Sequence, residues 1–364
     1  MTQPSIDQQI NDAVAPFSEA FANAVFFEVP IAGVGIPVVV AWLIAGAAFF
    51  TLYFRGINLR GLPLAGLVLR GDFDDPDAPG EISHFQALST ALSGTVGIGN
   101  IGGVAVAIAV GGPGATFWMI VAGFLGMATK FCECTLGVRY RRVNPNGTVS
   151  GGPMFYLKRG FADRGWPKLG RALGSFYAFG IVIGCLGIGN MFQANQAYVQ
   201  LRAVTGGAAS PLDGSGWIVG LILAVIVGGV ILGGIRSIAS VTAKLVPFMA
   251  TLYIVGAVVV IGLHIDAVPQ AISNILTGAF TAEGVAGGAL GAVIVGMKRA
   301  VFSNEAGIGS ASIAHSAVRS SGPRKPNCVS CSETEGEGEV RTHLLERPVF
   351  TAALTVRACR PNTS

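Results

Sequence analysis

The chain has 364 residues, of which 51% are hydrophobic and 12% charged, with a formal net charge of +4 and a mean hydropathy of +0.61. Soluble domains carry about 25% charged residues, so the composition excludes an ordinary soluble protein and indicates an all-α polytopic membrane protein, with the lipid bilayer as its surroundings. The positive balance requires no nucleic acid or other acidic partner, because basic cytoplasmic loops already follow from membrane topology.

Residues 1–30 contain no Lys or Arg and lack a basic stretch followed by an apolar core. They read as an extracytoplasmic segment, and no cleavable signal peptide is expected. A first span is expected over about Ile31–Phe54, and a second over Phe85–Val110, with Ser83 as the residue that caps its helix. A turn at Gly111–Gly114 leads to a third span, about Ala115–Val138. The longest loop follows, with a short interfacial helix over Met154–Phe161. Further spans are expected over Ala172–Leu201, Gly216–Gly234 and Leu245–Leu263, then an amphipathic piece over Ala267–Phe280 and a glycine-rich apolar segment over Gly284–Val318. Residues 31–318 thus form a membrane domain of about seven spans. Placing the N-terminus outside puts Arg55, Arg60, Arg70, Arg139, Arg141, Arg142, Lys158, Arg159, Arg164, Lys168, Arg171, Arg236 and Lys244 in inside loops. The outside loops then hold none, a bias that sets topology.

The stretch Ser93–Gly103 holds five glycines in eleven residues, mixed with Thr95 and Asn100. Such a sequence makes poor helix, and a helix that loosens inside a membrane must find partners for its backbone groups. Discontinuous helices of this kind build transporter binding sites, whereas small residues also let helices simply pack closely. Gly307-Ile308-Gly309 repeats Gly97-Ile98-Gly99 at a distance of 210 residues. The alternation of spans gives the two stretches opposite directions, the mark of an inverted-topology repeat of five helices.

Several residues are candidates for chemistry. Ser89, Ser93 and Asn100 fall within about 40° on a helical wheel and form a polar stripe, with self-directed hydrogen bonding as the alternative. Unwound carbonyls at Gly94 and Gly97 suit Na+, and half-helix N-termini suit a carboxylate. Asn190, Gln193, Asn195 and Gln196 lie near the middle of the fourth span, where carboxamides are costly unless partnered. One face of that span lines a cavity or binds neighbouring helices, and Gln193 is the best candidate to touch a polar substrate. Glu305 either binds a substrate ammonium, a cation or a proton, or locks the second break through nearby N–H groups, or pairs with Lys298 or Arg299. Lys298 and Arg299 follow an apolar run too short to span; they are expected to reach an outer water-filled vestibule, with no further role evident. An i,i+3 pair explains Lys130 and Glu133. The histidines show no metal spacing, the cysteines form no disulfide framework, and Cys328-Val329-Ser330-Cys331 stands alone. No nucleophile–base pair or metal cluster indicates an enzyme.

The blocks Gly94–Gly103, Gly111–Ile120 with Gly126–Phe131, Gly151–Tyr156, Gly189–Asn195 and Phe302–Ser310 resemble the alanine/glycine:cation symporter family, the sodium:alanine symporters. The resemblance runs from about residue 30 to about residue 318. It implies the inverted-repeat, leucine-transporter-like fold with broken first and sixth core helices, here Phe85–Val110 and the segment ending at Val318. It implies Na+-coupled or H+-coupled symport of alanine or glycine across the cell membrane, with Na+ as coupling ion and no other cofactor. The substrate-binding set becomes Thr95, Gly97, Gly99, Asn100, Gln193, Ser303 and Asn304. Family members continue with several more helices. Residues 319–364 instead turn polar and Cys-containing, so the second repeat is expected to be largely missing. The tail is expected to be an out-of-frame continuation or a natural disordered terminus. The alternatives to symport are a non-functional fragment of such a symporter and a passive pore.

Overall fold

A computed structural model describes residues 12, 15–17, 19–20, 23–31, 34–73, 76–185, 190–281 and 288–320. The expected polar tail beyond residue 320, most of the N-terminal segment, Gly189 and the start of the second glycine-rich segment (282–287) lie outside the described residues. The described chain is mostly helical, with two short antiparallel hairpins.

The first expected span differs from its sequence reading. It opens as a hairpin of β1 (Glu28–Ile31) with β2 (Val34–Pro37), and only α1 (Val38–Tyr53) is helical. Val29, Ile31, Val34 and Ile36 alternate as β-branched residues should in a strand, and Pro37 fixes the φ from which the helix departs. Two short helices follow, α2 (Ile57–Arg60) and α3 (Leu62–Arg70). The glycine-rich span is two helices, α4 (His84–Thr95) and α5 (Ile98–Gly111). Ser83 caps α4 reciprocally: its hydroxyl accepts from the Gln86 N–H, and the Gln86 side chain accepts from the Ser83 N–H. Next comes α6 (Gly114–Arg139), then the hairpin β3 (Arg142–Val143) with β4 (Val149–Ser150) and the short α7 (Pro153–Ala162).

The expected fourth span is helical on both sides of residues 186–189, which lie outside the described residues. α8 (Pro167–Gly184) and α9 (Phe192–Val204) are separated by wider, π-type turns at Cys185, Asn190 and Met191. The remaining helices are α10 (Gly216–Ile231), α11 (Gly234–Leu263), α12 (Val268–Phe280), α13 (Gly288–Asn304) and α14 (Ser310–Ser316). α11 starts eleven residues before the expected Leu245 and runs unbroken through Pro247. Arg236 and Lys244 are therefore on a helix, not in a loop. Among the described residues, His84–Gly111, α6 and α11 are long and apolar enough to cross a membrane.

α6 is the axis of the fold. It packs against α1, α5, α12, α13 and α14. Its buried face is small: Gly114, Ala115, Ala122, Gly126, Ala128 and Gly137, with Glu133 among them. A Cβ on Gly137 would stand 2.7 Å from the Ser312 carbonyl oxygen. Small residues let membrane helices approach to backbone contact. Large apolar side chains lie on the outside, with Trp42 77% and Leu52 79% exposed. That inside-out distribution fits a multi-pass membrane protein, because lipid is as apolar as a side-chain core.

One end of the bundle is tied by backbone. Ile82, just before α4, bridges Val318, just after α14, in parallel. Arg141 donates to the carbonyls of Ser316 (2.9 Å), Val318 (2.6 Å), Pro79 (2.9 Å) and Ser320. Burial lowers its pKa from the ordinary value, and these carbonyls favour the charged form. The Glu81 carboxylate accepts from the Val149 N–H at 3.1 Å and faces Arg236 at 3.5 Å. Residues before α4 and after α14 thus meet at this end. At the other end Gly111, closing α5, lies against Val295 of α13. The two broken helices therefore run antiparallel.

Candidate substrate and ion site

The first break lies at Val96 and Gly97. Val96 has φ −91°, ψ 103°, and Gly97 φ −159°, ψ −154°, both extended. The Gly97 carbonyl accepts the Asn100 N–H at 3.0 Å, which starts α5. A carbonyl has a second lone pair, so this one can still face an ion. The second break runs from Glu305 to Gly309, between α13 and α14. Glu305, Gly307 and Gly309 all have positive φ, of 51°, 92° and 89°. Such a conformation costs a glycine little and a glutamate more.

The two breaks meet. The Ser303 hydroxyl, at the end of α13, donates to Asn100 Oδ1, at the start of α5. A Cβ on Gly99 would stand 3.5 Å from the Phe302 ring, and one on Gly94 3.9 Å from Glu305 Oε2. Gln193 of α9 comes from a third element. Its Nε2 would lie 2.9 Å from a Cβ on Gly97. Gly97, Gly99, Asn100, Gln193 and Ser303 are thus gathered in one place, all half-buried. The Glu305 carboxylate accepts from Ser310 Oγ at 2.8 Å.

The other candidates point elsewhere. Thr95 turns its hydroxyl to its own helix, at the Ala91 carbonyl (3.0 Å). Asn304 Oδ1 accepts from the Ala306 N–H at 2.9 Å, and its amide nitrogen fills the space beside Gly126. Asn304 therefore shapes the second break against α6. The Ser89–Ser93–Asn100 stripe needs a continuous helix, which the break at Val96 interrupts. Ser93 donates to the Thr90 carbonyl at 2.7 Å, and Asn100 alone reaches the second break. Asn190 donates to the Cys185 carbonyl at 3.0 Å, so its amide is engaged within the fourth span.

Glu133 has a role that its sequence spacing did not reveal. It is 5% exposed and accepts from the Gly309 N–H at 3.0 Å through Oε2. Its Oε1 faces Lys130 Nζ at 3.2 Å. The i,i+3 pair exists, but the carboxylate also anchors the left-handed backbone of the second break to α6. A lone acid between Ala128 and Gly137 on an otherwise small, apolar face was the available signal.

Comparison with known proteins identifies the family of the chain. The family described as the sodium:alanine symporter family matches residues 21–334. The chain is 42% identical over 299 residues to the sodium/alanine symporter AgcS of Methanococcus maripaludis, covering 82% of this chain and 64% of that one. It is 35% identical to the probable sodium/glutamine symporter GlnT of Bacillus subtilis, over 79% of this chain and 57% of that one. It is 33% identical to the putative sodium/proton-dependent alanine carrier protein YrbD of the same organism, over 85% of this chain and 59% of that one. The chain thus spans less than two thirds of the length of these relatives. From the extent of these matches, the chain belongs to the sodium:alanine symporter family.

Proposed function

We propose that the chain forms the binding core of a secondary active transporter that carries alanine or glycine into the cell together with Na+. The observation that carries the reading is the junction of two antiparallel helix breaks, Asn100 against Ser303, closed from a third side by Gln193 over Gly97. The open N–H groups at the start of α5 suit a substrate carboxylate, and the absence of a side chain at Gly97 leaves the room that the Gln193 amide takes beside them. The Glu305 carboxylate stands beside Gly94, in the last turn of α4, where unpaired carbonyls accumulate. Two electronegative groups side by side favour a cation between them, Na+ or H+. A zwitterion and a cation bound together neutralise the site better than either alone, which couples them. The five-helix inverted repeat belongs to this proposal, as does a cell membrane location with the Arg141 end inside.

The test is uptake by the purified chain in proteoliposomes. Radiolabelled alanine is supplied under an inward Na+ gradient, then a proton gradient, with glycine and glutamine as competitors. Saturable uptake that follows the Na+ gradient supports the reading. Saturable uptake that ignores both gradients removes symport from it. A linear, unsaturable flux indicates a pore. Saturable binding without flux indicates a non-transporting fragment.

A further inference from the structure

Lys298 and Glu28 face one cavity and do not pair. The cavity holds about 510 Å3 and is lined by Asn23, Phe26, Phe27, Glu28 and Lys298. The Lys298 ammonium stands 5.4 Å from the centre of the Phe26 ring. Among the described residues neither charge has an ion-pair partner. The Glu28 carboxylate lies across the β1–β2 hairpin over Gly35, in space that a Cβ at Gly35 would take. Opposite charges lining one cavity usually close on each other. Here the hairpin holds one and α13 the other.

The position of the cavity gives it meaning. Lys298 precedes Phe302 by one helical turn, about 6 Å along α13, and shares its face. The Phe302 ring covers Gly99 at the first break. The cavity is therefore one turn above the glycine breaks, on the side away from the Arg141 end. A singly charged ligand would leave one of the two groups unmatched, whereas an amino-acid zwitterion matches both.

We infer that this cavity is a receiving site for a zwitterionic amino acid on its way to the glycine breaks, with Lys298 taking the α-carboxylate and Glu28 the α-ammonium. The inference rests on the amino-acid reading of the site below it. Phe26 holds the Lys298 head in place through its ring face until the carboxylate arrives.

The experiment measures association of radiolabelled L-alanine, glycine and L-glutamine with the full chain in lipid nanodiscs, at several salt concentrations. Lys298→Gln slows association about tenfold and flattens its salt dependence. Glu28→Gln acts in the same direction. L-Alaninamide, which has no carboxylate, competes weakly with the unmodified chain. Its competition is insensitive to Lys298→Gln and sensitive to Glu28→Gln, so the site is tested by ligand chemistry as well as by variants. Equal association rates in all variants, with alaninamide competing as well as alanine, overturn the receiving site and leave the transport reading standing. Failure of the unmodified chain to bind any of the three amino acids overturns both.

Discussion

Gly97→Ala adds one methyl group where the two breaks and α9 converge. The new Cβ would stand 2.9 Å from Gln193 Nε2 and 3.6 Å from its Cδ and Oε1. Carbon contacts are most favourable at about 3.5–4.0 Å, so the amide must retreat by roughly 0.6 Å. The backbone does not resist, because φ at Gly97 is −159°, extended and open to alanine. The cost falls on one flexible side chain turned off its rotamer, about 1 kcal/mol. Binding suffers more. On the proposed function Gln193 bonds a charged substrate group, and displacing it costs about 1.5–3 kcal/mol, or roughly a tenfold to hundredfold rise in Kd. The assay is equilibrium binding of radiolabelled alanine in nanodiscs, with a thermal melt of the same sample. The double variant Gly97→Ala/Gln193→Asn shortens the amide by one methylene and recovers part of the affinity. A melt that drops steeply while Kd stays put would refute the reasoning, since Gly97 would then serve packing alone.

Three further outcomes are expected. Glu133→Gln leaves Lys130 without a counter-ion and weakens the hold on Gly309, lowering stability by about 2 kcal/mol; adding Lys130→Met recovers most of it, and a denaturant melt that fails to move in the single variant contradicts the anchoring role. Arg141→Lys replaces a planar fork by a single ammonium and cannot reach the same carbonyls. Amide hydrogen exchange at Glu81 and Arg319, whose N–H groups bond to Ala317 and Ile82, accelerates about tenfold or more; unchanged protection would show that the bridge stands without the guanidinium. Gly137→Ala presses against the Ser312 carbonyl, which cannot yield, and costs about 1–3 kcal/mol. Gly123→Ala on the same helix meets nothing within 4 Å and serves as the control; equal melts for the two variants would contradict the close packing of α6 on α14.

Local chemistry made much of the fold legible. The Ser83 cap, the short helix before Asp163 and the amphipathic piece before Thr281 are short-range features, and each stands within a few residues of its expected place. The fourth span stands where its apolar run places it, with helix over Pro167–Gly184 and Phe192–Val204 and wider turns at Cys185, Asn190 and Met191 that hydropathy does not announce. The hairpin before α1 was hidden for a related reason. Hydropathy over a window reports burial in lipid and does not distinguish a strand pair from a helix.

Sequence alone determined that the chain is a membrane protein, that it breaks at Gly97 and again near Gly307, and that the breaks echo one another. Those properties depend on residue type and local spacing, because glycine weakens a helix wherever it stands. The tertiary structure decided what the breaks touch. Asn100 and Ser303 are 203 residues apart, and no local rule pairs them. Glu133 looked satisfied by Lys130 until Gly309 came within 3.0 Å of it. Thr95 and Asn304 were expected as binding groups, and only the packed bundle shows that the one donates to the Ala91 carbonyl and the other accepts from the Ala306 N–H. Polarity can be read along a chain, but the partner that satisfies it is set by packing across the whole bundle.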